Sequence, residues 1–79
     1  MKLNDRIEIN SEVLAGKPII RGTRISVELV LKLLAQGETM AEIIDGYPHL
    51  TREDILAAIA YAHDAVSDEE ILELRLAGV

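Results

Sequence analysis

The sequence predicts a mainly α-helical fold: a trihelical helix-turn-helix core behind a short N-terminal β arm, followed by a C-terminal tail helix. Three observations predict it. Apolar residues fill 49% of the 79 positions, yet there are two tyrosines and no phenylalanine or tryptophan. With so few strand-favouring aromatics, a core of Ile, Leu, Val and Ala suits packed helices better than a sandwich or barrel. Four hydroxyl residues, Ser26, Thr39, Thr51 and Ser67, each stand where an N-cap would open a helix. Before residue 25, by contrast, short apolar runs are broken by Gly and Pro.

The β arm is expected over residues 1–25. Arg6-Ile7-Glu8-Ile9 alternates as a half-buried strand does, and Val13-Leu14 resumes the run after Asn10-Ser11. Ala15-Gly16-Lys17-Pro18 signals a turn, Ile19-Ile20 a second short strand, and Arg21-Gly22-Thr23-Arg24 another interruption.

The core is expected over residues 26–66. Ser26 caps a helix from Val27 to Gln36, closed by Gly37 in a left-handed conformation. Val27, Val30, Leu31 and Leu34 share one face, while Leu29 and Leu33 fall off its centre, so this helix needs cover on more than one side. Thr39 and Glu42 form a capping box for a short helix through Ile43 to Asp45, stopped by Gly46 and Pro48. Thr51 opens a longer helix from Arg52 to about Val66, with Glu53 and Asp54 near the positive end of its dipole. Short helix, tight turn, longer helix is the outline of a helix-turn-helix, and also of many small bundles. Ser67-Asp68-Glu69-Glu70 reads as a second capping box, opening a separate tail helix over residues 67–79 that ends at Gly78.

Composition restricts the function. A chain of this length holds a single domain, residues 1–79, and buries only about 60% of its unfolded surface. Such a domain needs a supplement to its core. With no cysteine there is no disulfide and no thiolate zinc site, and His49 and His63 are too far apart for a helical ligand pair. Oligomerisation or a partner is therefore expected. No long apolar run or leader pattern is present, so no membrane association and a cytoplasmic location are expected. The charge is divided. Residues 1–37 carry six Lys/Arg against four Asp/Glu, +2, while residues 38–79 carry two against ten, −8. A phosphate-facing surface must draw its cations from the first half.

The string Gly16-Lys17-Pro18-Ile19-Ile20-Arg21-Gly22-Thr23-Arg24-Ile25-Ser26-Val27 resembles the signature of the bacterial family catalogued as domain of unknown function 433. Gly37-Glu38-Thr39, Ile43-Ile44-Asp45-Gly46-Tyr47-Pro48-His49-Leu50-Thr51, Asp54-Ile55 and Ala57-Ala58 resemble its second half. The resemblance covers most of residues 6–66 and leaves out the tail from Ser67. It implies a homeodomain-like fold and a role as a VapB-type antitoxin partnered by a toxin with a PIN-like nuclease domain.

Candidate contact residues follow from the pattern. Lys17, Arg21 and Arg24 are the one cationic cluster, placed either to meet an anion or to tie the arm to the acidic helices. Thr51 and Arg52 open the helix that a helix-turn-helix would lay on DNA, but Glu53 and Asp54 follow at once and repel phosphate. Weak DNA binding is expected of the chain alone. From Ile55 to Ala62 the same helix bears no charge; Ile55, Ile59 and Ala62 are expected in the core, leaving surface to spare. Leu56, Ala57 and Ala60, with Leu29 and Leu33, are therefore expected to form a homodimer or partner interface. In the tail, Ile71, Leu72 and Arg75 are the expected toxin contacts, Arg75 being placed to reach a carboxylate metal cluster; the alternative is a tail folded back on the core. No metal, cofactor or catalytic constellation is expected: Asp64, Asp68 and Glu69 read as a solvated helix junction, and neither histidine has a Ser or Cys placed beside it. The expected function is that of a non-enzymatic antitoxin-like regulator that neutralises a PIN-like ribonuclease and possesses a means of repressing its own operon. The alternatives are a stand-alone DNA-binding regulator and a protein-interaction module with no DNA role.

Overall fold

The computed structural model describes the backbone of residues 4–76 and the side chains of residues 4–67. Its elements are strands β1 (Ile7–Ile9) and β2 (Pro18–Ile20), then helices α1 (Val27–Ala35), α2 (Met40–Gly46) and α3 (Arg52–Leu76). The chain is mainly helical, and the strands form one antiparallel pair in the register Ile7↔Ile20, Glu8↔Ile19, Ile9↔Pro18.

The arm is more than an appendage. Ile7 and Ile20 are fully buried and share a core with Val27 and Val30 of α1, Ile43 of α2, Leu50 of the α2–α3 turn, and Ile55 and Ala58 of α3. Each named element therefore contributes to one core, as a domain this small requires. The connection between the strands departs from expectation. Val13-Leu14 does not resume β structure; Leu14–Gly16 is a 3-10 turn in which Leu14, Ala15 and Gly16 all take positive φ, at 49°, 56° and 81°. Left-handed backbone in two non-glycine residues is a local strain, with Leu14 still 42% exposed.

The helix ends follow their local chemistry. Ser26 Oγ accepts from the Leu29 amide at 2.9 Å, closing the N-terminus of α1. At its other end, Gly37 at φ +94° lets the Gly37 and Glu38 amides donate to the Leu34 and Leu33 carbonyls. At α2, Thr39 Oγ1 accepts from the Glu42 amide at 3.1 Å and Glu42 Oε1 accepts from the Thr39 amide at 2.8 Å. The bonds from Thr39, the amide's first and then the hydroxyl's, hold the Glu42 carboxyl below the usual glutamate range. Its contribution to stability is accordingly present at neutral pH and is lost as pH falls through that lowered value.

Gly22, at φ +79°, turns the chain between β2 and α1, and a Cβ there would meet nothing within 4 Å. Gly22→Ala is thus a purely conformational change. It is expected to lower stability by about 1 kcal/mol, read as a shift in the urea midpoint with an unchanged slope.

The largest departure is α3. It runs unbroken for 25 residues, about 37 Å at 1.5 Å per residue. No second helix starts at Ser67, because its hydroxyl donates back to the Asp64 carbonyl at 3.0 Å rather than capping a new N-terminus. The residues that follow are good helix formers and sustain the run. The expected end at Gly78 lies outside the described residues. The buried side of α3 is also rotated from expectation: Asp54, Ile55 and Ala58 are buried, whereas Ile59 is 37% exposed and Ala62 half-buried. Ile59 lies one residue, about 100° of helix, past Ala58 and so turns toward solvent.

Candidate functional site

The arm's cations do not act as one cluster. Lys17 Nζ lies 3.3 Å from Glu28 Oε1 on α1. Arg21 Nε donates to the Asp5 carbonyl at 2.7 Å, and its Nη1 lies 3.8 Å from Glu8 Oε2. These contacts are exposed and each contributes at most about 1 kcal/mol. They fasten the strands to each other and to α1. Arg24 differs: its exposed side chain makes no ion pair or hydrogen bond among the described residues. With Gly22, Thr23, Ile25 and His49 it lines a hollow, which brings the arm's last cation beside the α2–α3 turn.

Thr51, at the end of that turn, is an N-cap. Its Oγ1 accepts from the Asp54 amide at 3.2 Å, and Asp54 Oδ2 accepts from the Thr51 amide at 3.0 Å. Asp54 Oδ1 accepts from Arg6 Nη1 at 3.1 Å, and the residue is only 8% exposed. The sequence pattern set Asp54 beside Glu53 as a second carboxylate repelling phosphate. Folding turns it inward, where Arg6, just before β1, pairs with it. The exposed charged side chains nearest this turn are Asp45, Arg52 and Glu53, with Arg24 brought beside it.

Arg6 and Asn4 carry positioning roles that local patterns did not reveal. Asn4 Nδ2 donates to the Ala57 carbonyl at 3.1 Å, so the segment before β1 is tied to α3 at two places. Only Asp54 had a local signal, an acid three residues after Thr51, as in a capping box.

Of the five expected interface residues, three meet. Leu56, Ala57 and Ala60 line a shallow hollow with Asn4, Asp5, Arg6 and Glu53. Leu56 is 39% exposed and Ala60 also faces solvent. Leu29 and Leu33 are half-buried on α1 and do not line it, and Leu33 packs against the core.

Beyond Tyr61, none of the described side chains of α3 is buried. The helix leaves the core there and continues straight through the positions of Ile71, Leu72 and Arg75, so the tail backbone does not turn back on the domain. The side chains of those three lie outside the described residues. Among the described residues, no group of three or more His, Cys, Asp or Glu is placed to hold a metal, and no helix is long and apolar enough to cross a membrane.

These features define a small, mainly helical domain: three helices and a two-strand arm around one aliphatic core, with a long last helix. The chain belongs to the family described as "Protein of unknown function (DUF433)", whose model matches residues 7–62. The match ends near the point where α3 leaves the core. The chain is similar to a crystal structure, at 2.00 Å, of a DUF433 member from Anabaena variabilis ATCC 29413. That likeness has 35% identity and a TM-score of 0.73, and covers 90% of this chain and 68% of the other. It is also similar to the uncharacterised protein y4eO of Sinorhizobium fredii (strain NBRC 101917 / NGR234), 35% identical over 51 residues, which are 65% of this chain. The matched residues span 23% of that relative's length.

Proposed function

We propose that the chain is an antitoxin-like binding protein that docks on a PIN-like ribonuclease and neutralises it, with the projecting half of α3 as the main contact. The observation that carries this reading is the continuous α3, exposed from His63 to Val66, which leads straight into an acidic and then an apolar stretch. An isolated helix of ten residues is marginal in water because nucleation is costly. Continuity with the anchored N-terminal half supplies the nucleus, so the tail meets a partner already helical and loses less entropy on binding. Ile71 and Leu72 are its apolar anchors. Arg75, the sole cation of the chain after Arg52, is the group to set against a cluster of metal-binding carboxylates. This is the function of a binding protein of the cytoplasm rather than of an enzyme. A homodimer through Leu56, Ala57 and Ala60 fits the same reading.

A chain ending at Val66 keeps every residue that is buried among the described residues. It is expected to fold, to retain its far-ultraviolet circular dichroism per core residue, and to lose at least a hundredfold in inhibition of the ribonuclease encoded beside it. Full inhibition by the shortened chain contradicts the reading.

A second role, repression through a homeodomain-like helix-turn-helix made of α2 and α3, is favoured by the inward turn of Asp54. That leaves Arg24 and Arg52 opposed by Glu53 and Asp45 around the α2–α3 turn. Phosphate attraction of this size is small. Binding of the chain alone to duplex DNA is expected to be weak and strongly salt-dependent, and a nanomolar affinity at physiological salt contradicts it.

A further inference from the structure

Three of the five large apolar side chains exposed among the described residues lie on one side of α3: Leu56 at 39%, Ile59 at 37% and Val66 at 50%. At about 100° per residue, positions 52, 56, 59, 63, 66 and 70 fall within about 80° of one another. In the sequence they are Arg52, Leu56, Ile59, His63, Val66 and Glu70. Steps of four and three residues in alternation are the spacing of a helix seam that meets a second helix. The first five of these residues are all exposed, while the core takes Asp54, Ile55 and Ala58 from the other side of α3.

The seam is its own complement when two copies run antiparallel. With the two-fold axis level with Tyr61, Leu56 comes opposite Val66 of the second copy and Ile59 opposite His63. Arg52 comes opposite position 70, a glutamate. Imidazole has an apolar body and a polar tip, and His63 Nδ1 is already engaged by Asp64 at 3.3 Å. Ala60, exposed at the flank of the seam, leaves room for two helices to approach closely. A parallel pair would set position 52 on itself and position 70 on itself. It would also lay residues 63–76, with five acids against one arginine, beside their own copy. The antiparallel pair puts those stretches at opposite ends and matches unlike charges. From position 52 to position 70 the seam runs about 27 Å at 1.5 Å per residue. A helix contact of that length buries on the order of 1,000 Å² in total, the least that a specific interface requires.

We infer that α3 pairs antiparallel with α3 of a second copy through Leu56, Ile59, His63 and Val66, with Arg52 and position 70 matched at each end. The positions of Ile71, Leu72 and Arg75 are centred about 150° away around the helix. The face assigned to the nuclease is therefore a different one. The inference rests on the homodimer of the reading above, gives it a face and a direction, and does not need the nuclease.

The chain contains no cysteine, so cross-linking reads the pairing directly. Full-length Leu56→Cys and Val66→Cys chains, mixed and oxidised with copper–phenanthroline, are expected to form a covalent dimer at least tenfold faster than either chain alone. Light scattering on the parent chain at micromolar concentration is expected to give twice the chain mass. Ile59→Glu, a change at an exposed position, is expected to weaken the dimer at least tenfold with circular dichroism unchanged, since it sets a charge in the apolar seam. Val66→Glu keeps the test decisive if Ile59→Glu disturbs the fold. A monomeric parent, a dimer untouched by both glutamate changes, or cross-linking of either chain alone as fast as the mixture overturns the inference. A monomer that still inhibits the ribonuclease overturns this pairing alone, and a dimer that inhibits nothing overturns the nuclease reading alone.

Discussion

Ile55→Ala is expected to destabilise the domain by about 3–4 kcal/mol, toward the upper end of large-to-small core changes. Ile55 is 0% exposed and lies in the core shared by the arm, α1, α2 and α3. Truncation there removes three carbons from the point where the elements converge, and neighbours held by several elements cannot all relax into the gap. A domain of this size has a total stability of roughly 4–12 kcal/mol. The loss is therefore about a quarter of it or more, and the melting temperature is expected to fall by at least about 12 °C. Ile55→Val, with one methyl removed, is expected to cost only about 1 kcal/mol. Thermal melts of the three proteins check this. Near-equal melting temperatures for wild type and Ile55→Ala would show that the core does not converge on α3.

The second large effect concerns Asp54. Its carboxylate closes the N-terminus of α3 through the Thr51 amide and receives Arg6 across the fold. Asp54→Ala removes both at once: a cap, typically about 1 kcal/mol, and a charged hydrogen bond of about 1.5 kcal/mol. The sum is expected to be about 2–3 kcal/mol. Arg6→Ala is expected to cost less, about 1 kcal/mol, because the guanidinium is 49% exposed and the remaining carboxylate keeps its bond to Thr51. The double variant is expected to be little worse than Asp54→Ala alone, since the ion pair is lost once only. Urea titrations of the four proteins measure that coupling. Strict additivity would mean that Arg6 and Asp54 do not interact in solution.

Much of this fold is written locally. Ser26, Thr39 and Thr51 act as caps, and Gly37 closes α1, because each feature depends on neighbours within a few residues. What escaped the pattern was non-local or degenerate. The inward turn of Asp54 depends on Arg6, 48 residues away in sequence. The strained turn at Leu14 and Ala15 carries no glycine or asparagine at its first two positions to announce it. Ser67 is degenerate: Ser-x-x-Glu describes a capping box, but a serine inside a helix can equally bond back to the preceding turn. For the candidate site, Arg24, Leu56 and Ala60 were legible as residues with something to offer. Lys17 and Arg21 were legible as cations, but their use depends on the acids that folding brings beside them, Glu28 of α1 and Glu8 of β1.

We propose that this domain presents α3 to a nuclease partner. The most direct test is co-expression with the adjacent reading frame, followed by size-exclusion chromatography with light scattering. One peak holding both proteins at the mass of a defined complex is expected, with the ribonuclease inactive until the two are separated. Two independent peaks, with the nuclease fully active beside an indifferent domain, would contradict it.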